Sequence, residues 1–542
     1  MDTNGHSRGP SDATLHNYLA GITGLPNTDS PLSSPRATTF NDPTTIPPII
    51  PPEHPFRTLI LCFDGTGDQF DSDNSNIVQL FSLLPKADRS KQMVYYQAGI
   101  GTYTSPQIAT PVMSKISKAV DEAIAWNLDA HVMGGYEFLM QNYTSGDRIC
   151  IFGFSRGAYT ARSLAGMIHK VGLLPASNHQ QIPFAYKMYT REDEIGWKQS
   201  NAFKKAFSID VDIEFVGVWD TVNSVGLIPR RLPFTASNTI VRTFRHAMAL
   251  DERRAKFKVN HWNRLTAKDL ELTGRSDQKQ QQRHLSHKQS QNMLERKYSK
   301  DRYSVTDVDE VWFSGCHCDV GGGSVSNETP NNLARIPLRW MIRECFKTHS
   351  GIMFDSEALR GIGIDPATLY PHVSARPPAL PVDDRKLLSI NESETITRTR
   401  ARALSAASIS AAPAPSSSAN GKDPSPRSPT APAPLTEEEH ELADALCPVY
   451  DQLAIARGWW ILEVLPVKQR YQREDDSWAS YFGWNMGRGR VVPLADPKED
   501  GAQQAERARV RVHRSVKMRL EAGAGKYKPK AKFDMGRVTW VD

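Results

Sequence analysis

A chain of 542 residues, 39% hydrophobic and 23% charged, can bury a large core and, on length alone, divide into about two to four domains. Its formal net charge of +6 is mild for that length and argues against dedicated nucleic-acid binding, which concentrates basic residues into a stripe. Six cysteines, Cys62, Cys150, Cys316, Cys318, Cys345 and Cys447, are too sparse for a disulfide framework.

The opening MDTNGHSRGPSDATLHNYLAG lacks the apolar stretch of a secretory signal. No run reaches the roughly 18 apolar residues of a membrane span; the longest, GWWILEVLPV at residues 458–467, is about half that. A cytoplasmic location is therefore expected, with peripheral membrane contact left open. Residues 1–55, rich in Pro, Ser, Thr and Asn, bury too little apolar surface to offset the entropy of ordering and read as a disordered arm.

From residue 56 the pattern alternates in the α/β manner. TLILCFDGTG and QMVYYQAGIG are apolar runs that end in turns. Residues 116–143 carry Ile116, Val120, Ile124, Leu128 and Val132 at four-residue spacing, which predicts one face of a helix. RICIFGFS then reads as a buried strand and GAYTARSLAGMIHKVGLL as the helix after it. IEFVGVWDTV and DEVWFSGCHCD are further strands, the second running into GGGS; RHAMALDERRAKF, containing His246, reads as helical. Apolar runs without strict alternation predict a mostly parallel sheet covered on both faces.

The domain reading is an α/β domain at 56–350 with a low-complexity insert at 268–300, and a continuation or loop at 351–382. A disordered linker or insert at 383–438 follows, then a mainly helical C-terminal cap or extension at 439–542. The basic tail, residues 507–532, reads as a solvated face. Trp459, Trp460, Ile461 and Leu462, with Trp478 and Trp484 downstream, read either as core of that cap or as an apolar lid.

Parallel sheets bind ligands at the carboxyl ends of their strands, and four predicted strand ends carry Asp64-Gly65-Thr66-Gly67, Ser155, Asp220 and His317. A serine hydroxyl needs an adjacent base, the base needs a carboxylate to fix its tautomer, and the developing oxyanion needs backbone N–H donors. GFSRG fits the G-x-S-x-G elbow, where Gly153 and Gly157 relieve a sharp strand-to-helix turn. Ser155 is thus the candidate nucleophile, Asp220 the acid and His317 the base. The Arg156 N–H and the Gly65–Thr66 loop are candidate oxyanion donors, with Asp64 beside them. On an extended chain His317 would face away from Cys316 and Cys318, which argues against a Cys-His-Cys zinc site.

LILCFDGTG, GFSRGAYTARSLAGMI, GVWDTV, HAMALDERR and WFSGCHCDVGGG followed by LARIPLRWM together resemble the α/β-hydrolase family that includes phospholipase effectors of bacterial type VI secretion, its fungal members above all. The resemblance runs over about residues 57–345 and resumes weakly through RGWWILEVLP, GWNMGRGR and the VHRSVKMRL to KYKPKAKF stretch. It implies a Ser-Asp-His hydrolase with its serine at Ser155, aspartate at Asp220 and histidine at His317.

The reading is a cofactor-independent serine hydrolase acting on carboxylic esters, with phospholipids or other lipid esters as candidate substrates and no nucleic-acid partner. Two alternatives stand beside it: a non-catalytic hydrolase-fold scaffold or sensor, and a phosphoesterase with a divalent ion on Asp64, Asp220, His317 and Asp319.

Overall fold

A computed structural model describes residues 46–65, 68–99, 116–222, 232–263, 294–295, 305–382, 435–472, 478–492, 509–523 and 526–542. Eight strands form its principal sheet: β1 (Thr58–Phe63), β2 (Gln92–Gln97), β3 (Arg148–Phe154), β4 (Ile213–Trp219), β5 (Val241–Ala249), β6 (Asp307–Phe313), β7 (Val510–His513) and β8 (Val538–Val541). They lie in the order β8-β7-β6-β5-β4-β3-β1-β2, and every neighbouring pair is parallel.

The alternation of side chains along each strand feeds two cores. Leu59, Leu61 and Phe63 of β1, with Ile149 and Ile151 of β3, enter one cluster, whereas Ile60, Cys62, Cys150 and Phe152 enter the other. The first is covered by α2 (Ile116–Asn142) and α3 (Ser155–Val171), the second by α1 (Asn76–Ser82) and α5 (Arg335–Lys347), with α4 (His317–Gly321) between them in sequence. Fully burying a side chain such as Phe152 contributes about 1.5–3 kcal/mol relative to exposure. Both faces therefore hold the central strands in place. The predicted helix at 116–143 is α2, with Leu128 and Val132 buried against the first core.

The sheet runs outward in both directions from the β1–β3 junction, towards β2 on one side and β4 on the other. Such a switch point opens a crevice at the carboxyl ends of its strands. Ser155 follows β3 there, and Asp64 and Gly65 follow β1.

The tail that reads as a solvated face instead completes the sheet. Val510, Val512 and His513 are buried in β7, and α7 (Arg514–Ala522) buries Val516, Met518 and Arg519. Its cations are matched locally: Arg511 Nε lies 2.6 Å from Asp309 Oδ1, and Arg514 Nε lies 2.9 Å from Glu441 Oε2 on α6 (Glu437–Ala445). Basic composition concealed a core strand because its charges are paired.

Residues 351–382 hold strand Phe354–Asp355, paired antiparallel with Ile49–Ile50, and helix Ser356–Gly361. A second antiparallel pair, Val467–Gln472 with Trp478–Gly483, follows the tryptophan-rich segment. Residues 1–45, nearly all of the insert at 268–300 and most of that at 383–438 lie outside the described residues.

Candidate active site

Ser155 is the first residue of α3 and has φ 59°, in the left-handed region that side chains with a Cβ seldom adopt. Strain of this kind costs on the order of 1–3 kcal/mol and persists only where the surroundings enforce it. They do so here through close backbone approach. A Cβ on Gly157 would stand 2.3 Å from the Asp64 carbonyl oxygen and 2.4 Å from that of Phe63, and one on Gly153 would stand 2.5 Å from the Gly157 oxygen. The turn is pressed against the end of β1, and the two glycines of GFSRG permit it.

The three residues singled out as nucleophile, acid and base meet at this turn. His317 Nε2 lies 2.7 Å from Ser155 Oγ, and His317 Nδ1 lies 2.6 Å from Asp220 Oδ2. All three are buried, Asp220 completely. The imidazole packs on the rings of Phe154 and Phe257, with centroids 4.7 and 4.8 Å away. Asp220 follows β4 at φ 42°, and its Oδ1 accepts from the Ala249 N–H at 2.9 Å.

A residue that the sequence did not single out grips the same carboxylate. Arg490 Nη1 donates to Asp220 Oδ1 at 2.6 Å and Nη2 to Oδ2 at 2.8 Å. Burial works to raise the Asp220 pKa, but the Arg490 charge and hydrogen bonds, with His317, override it. The carboxyl titrates well below the usual carboxylate range. An ionised Asp220 makes His317 Nδ1 the protonated nitrogen and turns Nε2, as an acceptor, towards the Ser155 hydroxyl. Burial holds the His317 pKa below its ordinary value, against the opposing pull of Asp220.

The loop after β1 is ordered by Asp64, whose Oδ1 accepts from the Gly65 N–H at 2.8 Å and the Ser75 hydroxyl at 2.5 Å, and whose Oδ2 accepts from the Tyr96 hydroxyl at 2.7 Å. Gly65 therefore spends its N–H on Asp64, which counts against it as an oxyanion donor. Thr66 lies outside the described residues. Arg156 is the second residue of α3, whose N-cap Phe154 offers no side-chain acceptor. Burial lowers the Arg156 guanidinium pKa to about 10 against the charge of Asp68, whose own carboxyl is pushed up to about 8, chiefly by burial and next by Asp64.

Of the four residues of the metal reading, Asp220 and His317 meet, whereas Asp64 and Asp319 are engaged elsewhere. Asp64 is committed as above, and Asp319 Oδ2 accepts from the N–H groups of Cys316 and Tyr450 at 2.8 and 3.0 Å. Among the described residues no group of three His, Cys, Asp or Glu side chains is arranged to hold a metal ion.

Two local readings need correction. His317 does not lie on extended chain but opens helix α4, so strand alternation does not separate it from its flanking thiols. Cys316, the extended N-cap of that helix, turns its Sγ back to the Asp251 carbonyl at 3.3 Å while the imidazole reaches Ser155. His246 is not helical but lies in β5, fully buried, with Nδ1 3.0 Å from Glu310 Oε1. Its Nε2 accepts from the Thr221 N–H at 3.1 Å, bracing the loop that carries Asp220. Arg254 pairs with Glu252 at 2.8 Å, and Glu252 in turn accepts from the His317 N–H at 3.3 Å.

Comparison with known proteins extends this picture. Residues 57–344 match the family described as T6SS, Phospholipase effector Tle1-like, catalytic domain. An uncharacterized protein of Saccharomyces cerevisiae, YEL023C, is 29% identical over 537 residues, covering 81% of this chain and 77% of its own. A crystal structure of an uncharacterized protein from Pseudomonas aeruginosa aligns at 16% identity and TM-score 0.30, over 66% of this chain and 51% of that one. The structure of the Tle1 effector bound to the VgrG spike of the Type 6 secretion system aligns at 16% identity and TM-score 0.26, over 49% and 51%. The chain spans about half the length of each of these two solved chains. The family match covers more than half of the 542 residues, and the chain belongs to the Tle1-like phospholipase effector family through its catalytic domain.

Proposed function

We propose that this protein is a serine hydrolase that cleaves carboxylic esters of lipids, glycerophospholipids among them, through an acyl-enzyme on Ser155. The observation that carries the reading is the continuous hydrogen-bonded line from Ser155 Oγ through His317 to Asp220, set on a strained strand-to-helix turn.

Ser155 Oγ attacks the ester carbonyl carbon as its proton passes to His317 Nε2, while Asp220 holds the Nδ1 proton and balances the imidazolium. The carbonyl oxygen takes the negative charge beside the Arg156 N–H at the start of α3, where the helix dipole also favours an anion. The Gly65 N–H, committed to Asp64 at 2.8 Å, does not serve as the second donor. Collapse breaks the ester bond, and the leaving alcohol takes the proton from His317. Water then attacks the acyl-enzyme, gives its proton to His317, and the carboxylic acid leaves as the proton returns to Ser155.

Access for lipid is supported by a run of exposed apolar side chains. Trp459 packs edge-on to Phe257 at 5.5 Å, and Phe257 packs on His317. Beyond Trp459, Ile461, Phe482 and Trp484 are 63%, 75% and 61% exposed. No described helix is long and apolar enough to cross a membrane; the lipid contact proposed here is one of exposed apolar side chains with the surface.

The test is intact-mass analysis after treatment with a fluorophosphonate ester, run beside Ser155→Ala, because such probes modify serines activated by a base and an oxyanion site. One adduct on the wild type and none on Ser155→Ala is expected. Equal labelling of both, or of neither, would overturn the nucleophile assignment.

A further inference from the structure

Arg490 stands outside the family match at 57–344, yet its guanidinium is spent at the centre of the site. Besides its two bonds to Asp220, Nη1 donates to the Ala249 carbonyl at 2.9 Å, and Nε and Nη2 donate to the Phe257 carbonyl at 3.1 and 2.7 Å. All three nitrogens are engaged, and the side chain is almost wholly buried.

The segment around Arg490 is itself built in place. Glu463, buried, accepts from the N–H groups of Ala255 at 2.6 Å and Gly487 at 2.9 Å, and from Asn485 Nδ2 at 2.5 Å. Lys258 Nζ donates to Asn485 Oδ1 at 2.9 Å, and the Lys532 N–H donates to the Arg490 carbonyl at 2.9 Å. Arg490 is thus delivered by a fixed loop.

We propose that Arg490 is a positioning residue of the active centre, which locks the plane of the Asp220 carboxylate and through it the orientation and protonation of His317. This rests on the serine-hydrolase reading above. Asp220 Oδ2 serves His317 Nδ1 and Arg490 Nη2 together, at 2.6 and 2.8 Å. A planar fork on both oxygens fixes the carboxylate in rotation, which a point cation does not. The guanidinium also offsets the attraction of Asp220 for an imidazolium proton and so favours the neutral base. Glu252, Arg254, Lys258 and Glu463 also carry charge around this pair, and the variants below leave them in place.

The test measures the rate of fluorophosphonate labelling at Ser155 across pH for the full-length wild type, Arg490→Lys and Arg490→Ala, with and without millimolar methylguanidinium. Arg490→Ala should label about 10²-fold more slowly, the loss typical of a misplaced catalytic group. Its acid-limb midpoint should move to higher pH, and methylguanidinium should restore rate and midpoint together. Arg490→Lys, which keeps the charge and loses the fork, should be slowed with a smaller shift. Wild-type rates and midpoints in the variants would overturn the proposal, as would slowing with neither a shifted midpoint nor rescue. Loss of the folded state in both variants would assign Arg490 to the core and overturn it equally. A wild type that takes no label removes the serine-hydrolase reading and this proposal with it, whereas labelled wild type beside unaffected variants removes the proposal alone.

Discussion

Ser155 Oγ and His317 Nε2 stand 2.7 Å apart although 162 positions separate them in the chain. His317 and Asp220 nevertheless differ in what else depends on them. His317→Gln leaves the Asp220–Arg490 pair intact, so it should abolish ester hydrolysis, by about 10⁶-fold if the residues act as a unit, with little change in Tm. Asp220→Asn strands the buried Arg490 charge, and breaking a buried pair from one side costs about 3–5 kcal/mol. It should lose activity and stability together. Parallel assays of hydrolysis and thermal unfolding separate the two, and an Asp220→Asn with unchanged Tm would contradict the buried pairing.

The pH dependence follows from His317. In the proposed mechanism only the neutral imidazole can take the Ser155 proton, and burial holds its pKa below the ordinary 6.5. A lowered pKa keeps the base neutral to lower pH, so the rate should stay flat through neutrality and fall along a single limb centred below 6.5. Labelling rates measured across mildly acidic buffers give the midpoint directly. A midpoint above the ordinary histidine value would show that Asp220 outweighs burial.

Gly157 tests the elbow without touching a reacting group. Its pro-Cβ position lies 2.3 and 2.4 Å from two backbone oxygens of the β1 end, which have no rotamer by which to move aside. Overpacking of this kind costs about 1–3 kcal/mol, and the displacement passes straight to Ser155. Gly157→Ala should lower Tm and labelling rate together, whereas Gly458→Ala, with nothing within 4 Å of its new methyl, should change neither. Thermal melts of the three proteins decide it.

The strand ends that carry Ser155, Asp220 and His317 were legible because central parallel strands are buried on both faces and read as unbroken apolar runs. The same property misled at RHAMALDERR: β5 buries every residue but Arg242, so it lacks a period of two and cannot be told from a helix by pattern. β7 and β8 are four residues each, too short to show through the surrounding arginines and lysines. Arg490 carried a faint signal in GWNMGRGR, but its meaning lies in a contact with a carboxylate 270 positions away. No local pattern encodes such a contact.

Asp319 lies beside His317 in sequence, yet its chemistry belongs to stability. It is 1% exposed, and burial pushes its carboxyl up to about 7 against the two N–H groups it accepts from. Between its ordinary 3.8 and about 7 the folded protein keeps a proton that the unfolded chain releases, so this group lowers stability as pH rises through that window. Asp319→Asn keeps an acceptor for Cys316 and Tyr450 and cannot ionise. It should raise Tm above neutrality and flatten the pH dependence of unfolding, as calorimetry across the range would record. A uniform loss at every pH would mean that the carboxylate, not the acceptor, holds the turn.

Phe482 and Trp484 separate lipid-surface contact from chemistry. They are 75% and 61% exposed, so replacing them removes little packing, and neither touches Ser155, Asp220 or His317. Inserting apolar side chains into an interface gains free energy with the area they bury, and an acidic residue in their place opposes both burial and an anionic surface. The double variant Phe482→Asp with Trp484→Asp should hydrolyse a short-chain soluble ester at the wild-type rate. On phospholipid vesicles its rate should fall about tenfold or more, since the loss of two partly buried aromatic rings exceeds the 1.4 kcal/mol that corresponds to a factor of ten. Vesicle co-sedimentation should weaken in step. Equal losses on both substrates would place these residues in the fold of the catalytic unit, and no loss on either would free the segment from any part in reaching lipid.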